Sequence, residues 1–258
     1  MRVGILKVLG LPPQCTFWRF RASLHLQIAQ QLLEVQRRMR QRVWEAAPVR
    51  LRSVTLDTDT TVHTLFGQAM GARKAYNPQH KGKKSYQPLL TFCAETRECL
   101  RGELHNGDRP SGAQIARHLE SAWAALPEGV EAVYARADSG FYCWEAVESY
   151  EKHPCPFIIS ARKTPRWVEE LKAAAWKPSP RTDADGECEF RYQPEGWGRA
   201  YRFLALRYVK KKEPQPGEAE QYQLFETPEF VYRVFVTHRR HAVDLLGWVY
   251  NQRGERRT

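Results

Sequence analysis

Apolar positions along this chain of 258 residues change their period several times, and each change marks an element. Between residues 22 and 46 they recur at helical spacing, through Leu24, Ile28, Leu32, Val35, Met39 and Val43. Gln30, Gln31, Arg37, Arg38 and Arg40 fall on the opposite face. Thr16 can cap a shorter helix before this run, carrying Phe17, Trp18 and Phe20, and Pro48 ends the run. A β-prone pattern follows and predicts strands over 52–59, 62–68 and 86–94, with a polar, basic loop over 74–85. Residues 111–126 read as a helix, with Ser111 as cap and Ile115, Leu119 and Trp123 on one face. Gly129 then turns the chain into a strand over 130–137, followed by a helix over 142–152 and a short strand over 156–160. After Arg162 the pattern predicts a short helix over 167–176, a turn-rich region over 178–186, and strands over 187–193, 201–210 and 230–238. A hydrophilic loop covers 210–220, and a closing helix over 241–254 carries Val243, Leu246 and Val249.

Composition changes the picture in three ways. Hydrophobic residues make up 42% and aromatics 12%, so the chain is globular material with a proper core. Trp167, Trp176 and Trp197 are expected in that core. Lys and Arg outnumber Asp and Glu by 40 to 29, giving +11 and a pI near 9.5. That excess points to a polyanionic partner, most simply nucleic acid, ahead of a merely solvated basic surface. No apolar run approaches the ~18 residues that span a membrane. The six cysteines lack CxxC spacing and read as free, mostly buried thiols, so a soluble cytoplasmic protein is expected.

Two acidic turns carry the candidate chemistry. Asp57-Thr58-Asp59-Thr60-Thr61 and Ala137-Asp138-Ser139-Gly140-Phe141 each close an apolar, β-prone run. Carboxylates at strand ends are held on rigid elements and can meet in one mouth, as a divalent cation requires. Asp59 and Asp138 are therefore candidate metal ligands. Asp57 shares strand parity with Asp59 and stands equally as a third oxygen donor or as a turn cap. Lys74, Lys81, Lys83 and Lys84, with Tyr76, Asn77 and His80, form the densest basic loop, which reads as a phosphate track or as a solvated loop. His105-Asn106-Gly107-Asp108-Arg109 reads as a polar turn ahead of a DNA-ordering one.

These blocks resemble a known family. Leu56 through Thr61, then Gly67-Gln68, Tyr76-Asn77, Gly82 and Tyr86-Gln87-Pro88-Leu89-Leu90, are similar to bacterial insertion-sequence transposases of the DDE type. Arg136 through Phe141 resembles their second catalytic block, and Val234–Thr237 with Tyr250 through Glu255 resembles the strand and helix leading to the third. The resemblance implies an α/β, RNase H-like (ribonuclease H-type) mixed sheet with flanking helices. It implies an N-terminal helical segment over 1–50 and a catalytic domain over 51–258, interrupted by a mainly β insertion at about 161–229. It further implies cut-and-paste transposition, with DNA strand cleavage and strand transfer using Mg²⁺ or Mn²⁺ in a two-ion site. Asp59 and Asp138 map onto the first two catalytic acids, and Tyr250 and Arg253 onto the signature helix, where Arg253 would contact phosphate. Double-stranded DNA, as transposon ends and target, and a homodimer on DNA are the implied partners. The implied setting is the bacterial cytoplasm, associated with the nucleoid when DNA-bound.

One position departs from the pattern. The family's third acid falls at position 257, which is Arg257, and Glu255 lies about 140° round the helix from Tyr250. The family's downstream helix is also missing from the sequence. The expectation is a truncated copy that cannot complete the second metal position and does not transpose alone. Two other functions stay open: a related metal-dependent nuclease, and a non-catalytic DNA-binding remnant.

Overall fold

The structure is a computed structural model that describes residues 12–47, 50–67, 70–75, 77, 80–210 and 230–253. The chain divides into two compact units, Met1–Leu51 and Arg52–Thr258. The first holds helices α1 (Gln14–Ser23) and α2 (Leu26–Ala46). The periodicity that suggests one helix from residue 22 is broken at Leu24 and His25, both extended. α1 starts directly after Pro13, so Thr16 lies inside it rather than capping it. On α2, Leu32, Val35, Met39 and Val43 remain exposed.

The second unit is built on a mixed sheet of eight strands. β1 (Ser53–Thr60), β5 (Leu89–Cys93) and β6 (Cys99–Glu103) form an antiparallel meander. β7 (Ala132–Ala137) lies parallel to β1, and β8 (Phe157–Ser160) parallel to β7. Parallel neighbours need a crossover, and helices α3 (Gly112–Ala124) and α4 (Trp144–Lys152) supply the two. This meander followed by two crossovers is the RNase H-like arrangement. Helix α3 begins at a capping box, in which Ser111 Oγ accepts from the Gln114 N–H and the Gln114 side chain accepts from the Ser111 N–H.

One expectation about strands is corrected. Residues 62–68 do not supply the second strand of the sheet. Among the described residues there, only β2 (His63–Thr64) forms, in a separate small sheet with β4 (Lys84–Tyr86) and β3 (Arg73–Lys74), in the order β2-β4-β3. The meander is completed instead by β6, whose sequence, Cys-Leu-Arg-Gly-Glu, shows no β alternation. It is placed by a tight turn in which Arg97 takes φ 61° and its N–H donates to Cys93 O. The strands within and just after the expected insertion at about 161–229 join the same sheet. β11 (Phe230–Thr237) pairs with β8, and β10 (Tyr201–Val209) and β9 (Gly186–Tyr192) extend the same sheet, giving β6-β5-β1-β7-β8-β11-β10-β9. The loop at 210–220 falls, beyond Lys210, outside the described residues.

Strand parity sorts the side chains into two layers. Ala135, Ala137, Phe157, Ile159, Phe203 and Val236 face α3, α4 and helix α5 (Pro165–Ala173) in the larger core, where Trp167 and Trp197 are also buried. Ile158, Leu204, Leu206 and Phe235 face helix α6 (Val243–Asn251) through Val243 and Leu246. Among the described residues no helix is long and apolar enough to cross a membrane.

Candidate active site

The parallel register of β1 and β7 sets Asp57 beside Arg136 and Thr58 beside Ala137, so Asp59 and Asp138 leave their strands side by side. The Asp138 N–H donates to Thr58 O at 3.3 Å, continuing the ladder to the acid itself. Across β1, Leu90 partners Asp59 and Phe92 partners Asp57. Directly paired residues share a face, so both carboxylates, Leu90, Phe92 and Arg136 lie on the α6 side of the sheet. Thr58 lies on the other side, fully buried, where its hydroxyl accepts from Thr91 at 3.3 Å.

Each acid has a distinct environment. Asp138 caps the short 3-10 turn Ser139–Phe141: its Oδ1 accepts from the Gly140 N–H at 3.0 Å and its Oδ2 from the Thr60 hydroxyl at 2.9 Å. Burial, and then the charge of Asp59, push its pKa up against the opposing influence of Arg253 and these hydrogen bonds. Asp59 Oδ1 accepts from Arg253 Nη2 at 2.8 Å. Both oxygens of Asp57 are taken by Arg136, Nε and Nη2 each at 2.7 Å, in a bidentate fork. Arg136 Nη1 also donates to Val249 O at 2.7 Å, so the Asp57–Arg136 pair ties α6 to the sheet. Asp57, offered in the sequence as a turn cap or a third oxygen donor, has both oxygens in an ion pair with Arg136.

Arg253, the expected phosphate contact, makes its described hydrogen bonds within the protein. Its Nη2 donates to Asp59 and to Thr58 O, and its Nη1 to the Tyr250 hydroxyl at 3.1 Å, while Nε is buried without a partner. Its side chain is only 9% exposed. Burial works against the charge, yet Tyr250 and the Asp59, Asp138 and Asp57 carboxylates outweigh it and raise the guanidinium pKa. Tyr250 likewise points inward, donating to Ala137 O at 3.2 Å and packing its ring 4.5 Å from that of Phe235. Together Asp57, Asp59, Leu90, Phe92, Arg97 and Arg253 line a cavity of about 500 Å³.

Of the basic loop, Lys74, Lys81, Lys83 and Lys84 are exposed. Asn77 is not a surface group. It is 4% exposed, donates to Thr64 Oγ1 at 2.8 Å and accepts the His80 N–H at 2.9 Å, holding the loop together. Tyr76, Glu255 and Arg257 lie outside the described residues. Among those that are described, no group of three metal-binding side chains gathers.

A family model described as transposase DDE domain group 1 matches residues 9–257. The chain belongs to that family. Among solved structures, this DDE chain is similar to a piggyBac transposase in a synaptic complex with hairpin DNA, at 9% identity and a TM-score of 0.44, over 78% of this chain and 39% of that one. The chain therefore spans well under half of the piggyBac chain. It is also similar to Ciona intestinalis endonuclease V in complex with an inosine-containing DNA, at 9% identity and a TM-score of 0.30, over 89% of each chain. A search of curated proteins found no match.

Proposed function

We propose that this chain carries out the metal-dependent DNA chemistry of a DDE transposase, strand cleavage and strand transfer, with Asp59 and Asp138 as ligands of Mg²⁺ or Mn²⁺. The observation that carries the reading is the β1–β7 register, which delivers two carboxylates to one point where the charge of Asp59 already raises the pKa of Asp138. The donor set fits the group: Mg²⁺ is commonly held by one or two carboxylates together with substrate phosphate oxygens. The cationic Arg253, buried against Asp59, marks a place where positive charge is favourable. A bound divalent ion supplies activation of the attacking oxygen and stabilisation of the leaving one. The residues of the chain do the rest. Thr60 and Gly140 fix the orientation of Asp138, the Asp57–Arg136 fork holds α6 over the site, and Arg253, once released from Asp59, offers its fork to a phosphate. Exposed Lys74, Lys81, Lys83 and Lys84 give affinity for the DNA backbone without reading sequence.

A second reading, a DNA-binding remnant without catalysis, is favoured by one observation: Asp59 is neutralised by Arg253 and no third acid joins the pair among the described residues. Position 257 decides between them, because Arg257 would set a cation where the family has its third acid. The test compares Mn²⁺ binding by calorimetry and duplex cleavage for the chain as it stands, for Arg257→Glu, and for Arg257→Glu combined with Asp138→Asn. The expected result is Mn²⁺ binding that Asp138→Asn removes, and cleavage that Arg257→Glu increases. Mn²⁺ binding indifferent to Asp138 would overturn the metal assignment and leave the remnant. Cleavage by the unaltered chain, abolished by Asp138→Asn, would show that no acid at 257 is needed.

A further inference from the structure

The small sheet carries an exposed apolar pair and four exposed lysines on its strands and connecting segments. Phe66 is 77% exposed and Met70 96%. Lys74 and Lys84 sit directly opposite each other in the β3–β4 register, and Lys81 and Lys83 are exposed beside them. Like charges placed opposite on a sheet repel, so this arrangement gains when a polyanion is bound. The described backbone at Leu65 and Met70 is hydrogen-bonded to β4. The Leu65 N–H donates to Lys84 O at 2.9 Å, and the Tyr86 hydroxyl donates to Met70 O. The His80 and Phe66 rings meet in a T-shaped contact with centroids 5.4 Å apart, and Asn77 fixes the backbone of His80. The sheet is in turn anchored to the body of its unit: the Arg73 N–H donates to Asn106 O, and the Gln87 N–H to His105 O.

We propose that this apolar pair is a wedge for duplex DNA, in which Phe66 and Met70 enter between base pairs while the lysines hold the flanking phosphates. Apolar side chains on a rigid, basic element unstack base steps and kink the duplex in this way. Protein interfaces, by contrast, are depleted in lysine, which argues against a protein partner. The inference rests on the proposed function for its DNA ligand and its lysine contacts, and does not need the carboxylate pair.

The test is run without divalent metal, on short duplexes carrying 2-aminopurine at successive pyrimidine–purine steps, the steps most easily opened. Binding of the unaltered chain is expected to raise the fluorescence severalfold at one or more steps. Phe66→Ala should abolish that rise while leaving affinity within about tenfold, since each phosphate contact is retained. Lys83→Ala should instead weaken binding and reduce the salt slope by about one. Saturated binding with no rise at any step, or a rise unchanged by both Phe66→Ala and Met70→Ala, would overturn the wedge and leave the catalytic reading standing. A rise lost in Phe66→Ala, with no cleavage under any metal condition, would do the reverse. Failure to bind duplex at all would overturn both. Self-association, or binding to anionic vesicles, that Phe66→Ala abolishes while DNA leaves it unaffected would assign the apolar pair elsewhere and overturn the wedge.

Discussion

Arg253 and Asp138 are the two residues whose chemistry most constrains what this site does. Arg253 neutralises Asp59 from within, so the carboxylate pair is half-compensated by the chain itself. Arg253→Gln is expected to leave two buried, mutually repelling carboxylates. The metal-free fold should then lose roughly 3 kcal/mol, the usual cost of stranding one partner of a buried pair. Because the two carboxylates then lack their cation, the stabilisation conferred by added Mn²⁺ should grow. Thermal melts with and without Mn²⁺ check both directions, and an unchanged Mn²⁺ effect would separate Arg253 from the metal position. Asp138 stands the other way. Burial and the Asp59 charge disfavour its ionised form, so removing that charge should help the metal-free fold. Asp138→Asn is expected to raise Tm in chelator at neutral pH and to lose the response to Mn²⁺. Stability gained at the expense of function is the signature of a site residue, and a lowered Tm would instead make Asp138 a structural cap. Both acids were legible in the sequence because each ends a β run. The commitments of Asp57 and Arg253 were not, since their partners lie 79 and 194 residues away.

Two connections between elements hold the site and its basic face in place. The first is the Arg136 fork, which reaches from β7 through Asp57 on β1 to Val249 on α6. Arg136 is 6% exposed and Asp57 16%, so Arg136→Ala strands a buried carboxylate and should cost about 3–5 kcal/mol. Hydrogen exchange should show α6 losing protection before α3 or α4 does; uniform loss would mean that the fork acts on global stability alone. The second is Gly107, at φ 83°, whose place against β4 leaves no room for a side chain: a Cβ there would lie 2.3 Å from Ser85 O. Gly107→Ala combines a positive φ with that clash and should cost about 2 kcal/mol. It should also weaken DNA binding by displacing the β2-β4-β3 sheet, which a salt-dependent affinity measurement would show. The turn at 105–109, readable from sequence only as polar, is therefore the tether of that sheet. The helices around the site were readable because their period is local, and Ser111 announced α3 as its cap. β6 was not, because its five residues carry no alternation and are placed by pairing with β5.

For the whole molecule, the eight-stranded sheet gives one continuous support to the site and to the strands beyond it. Its outer strand β6 contributes a pH-sensitive element. His118 beside it, 3.8 Å away at Nδ1, and the Arg101 guanidinium at 2.8 Å, hold Glu103 down to about 2. A depressed carboxylate stabilises the fold fully above the unfolded value near 4.5 and loses that contribution as pH falls through about 2. The Tm difference between the unaltered chain and Glu103→Gln should therefore be greatest above pH 4.5 and close toward pH 2; a constant difference would place the effect in packing rather than charge. The sequence by itself determined the helices, most of the strands, the basic character, and the position of Asp59 and Asp138 at strand ends, because periodicity and turn chemistry are local properties of the chain. Only the tertiary structure decided which strands lie side by side, that β9 and β10 extend the main sheet, that Asp57 serves Arg136, that Arg253 covers Asp59, and that Lys74 faces Lys84. Those are matters of register between distant segments, and register follows from burying two faces of one sheet at once, which no local pattern encodes.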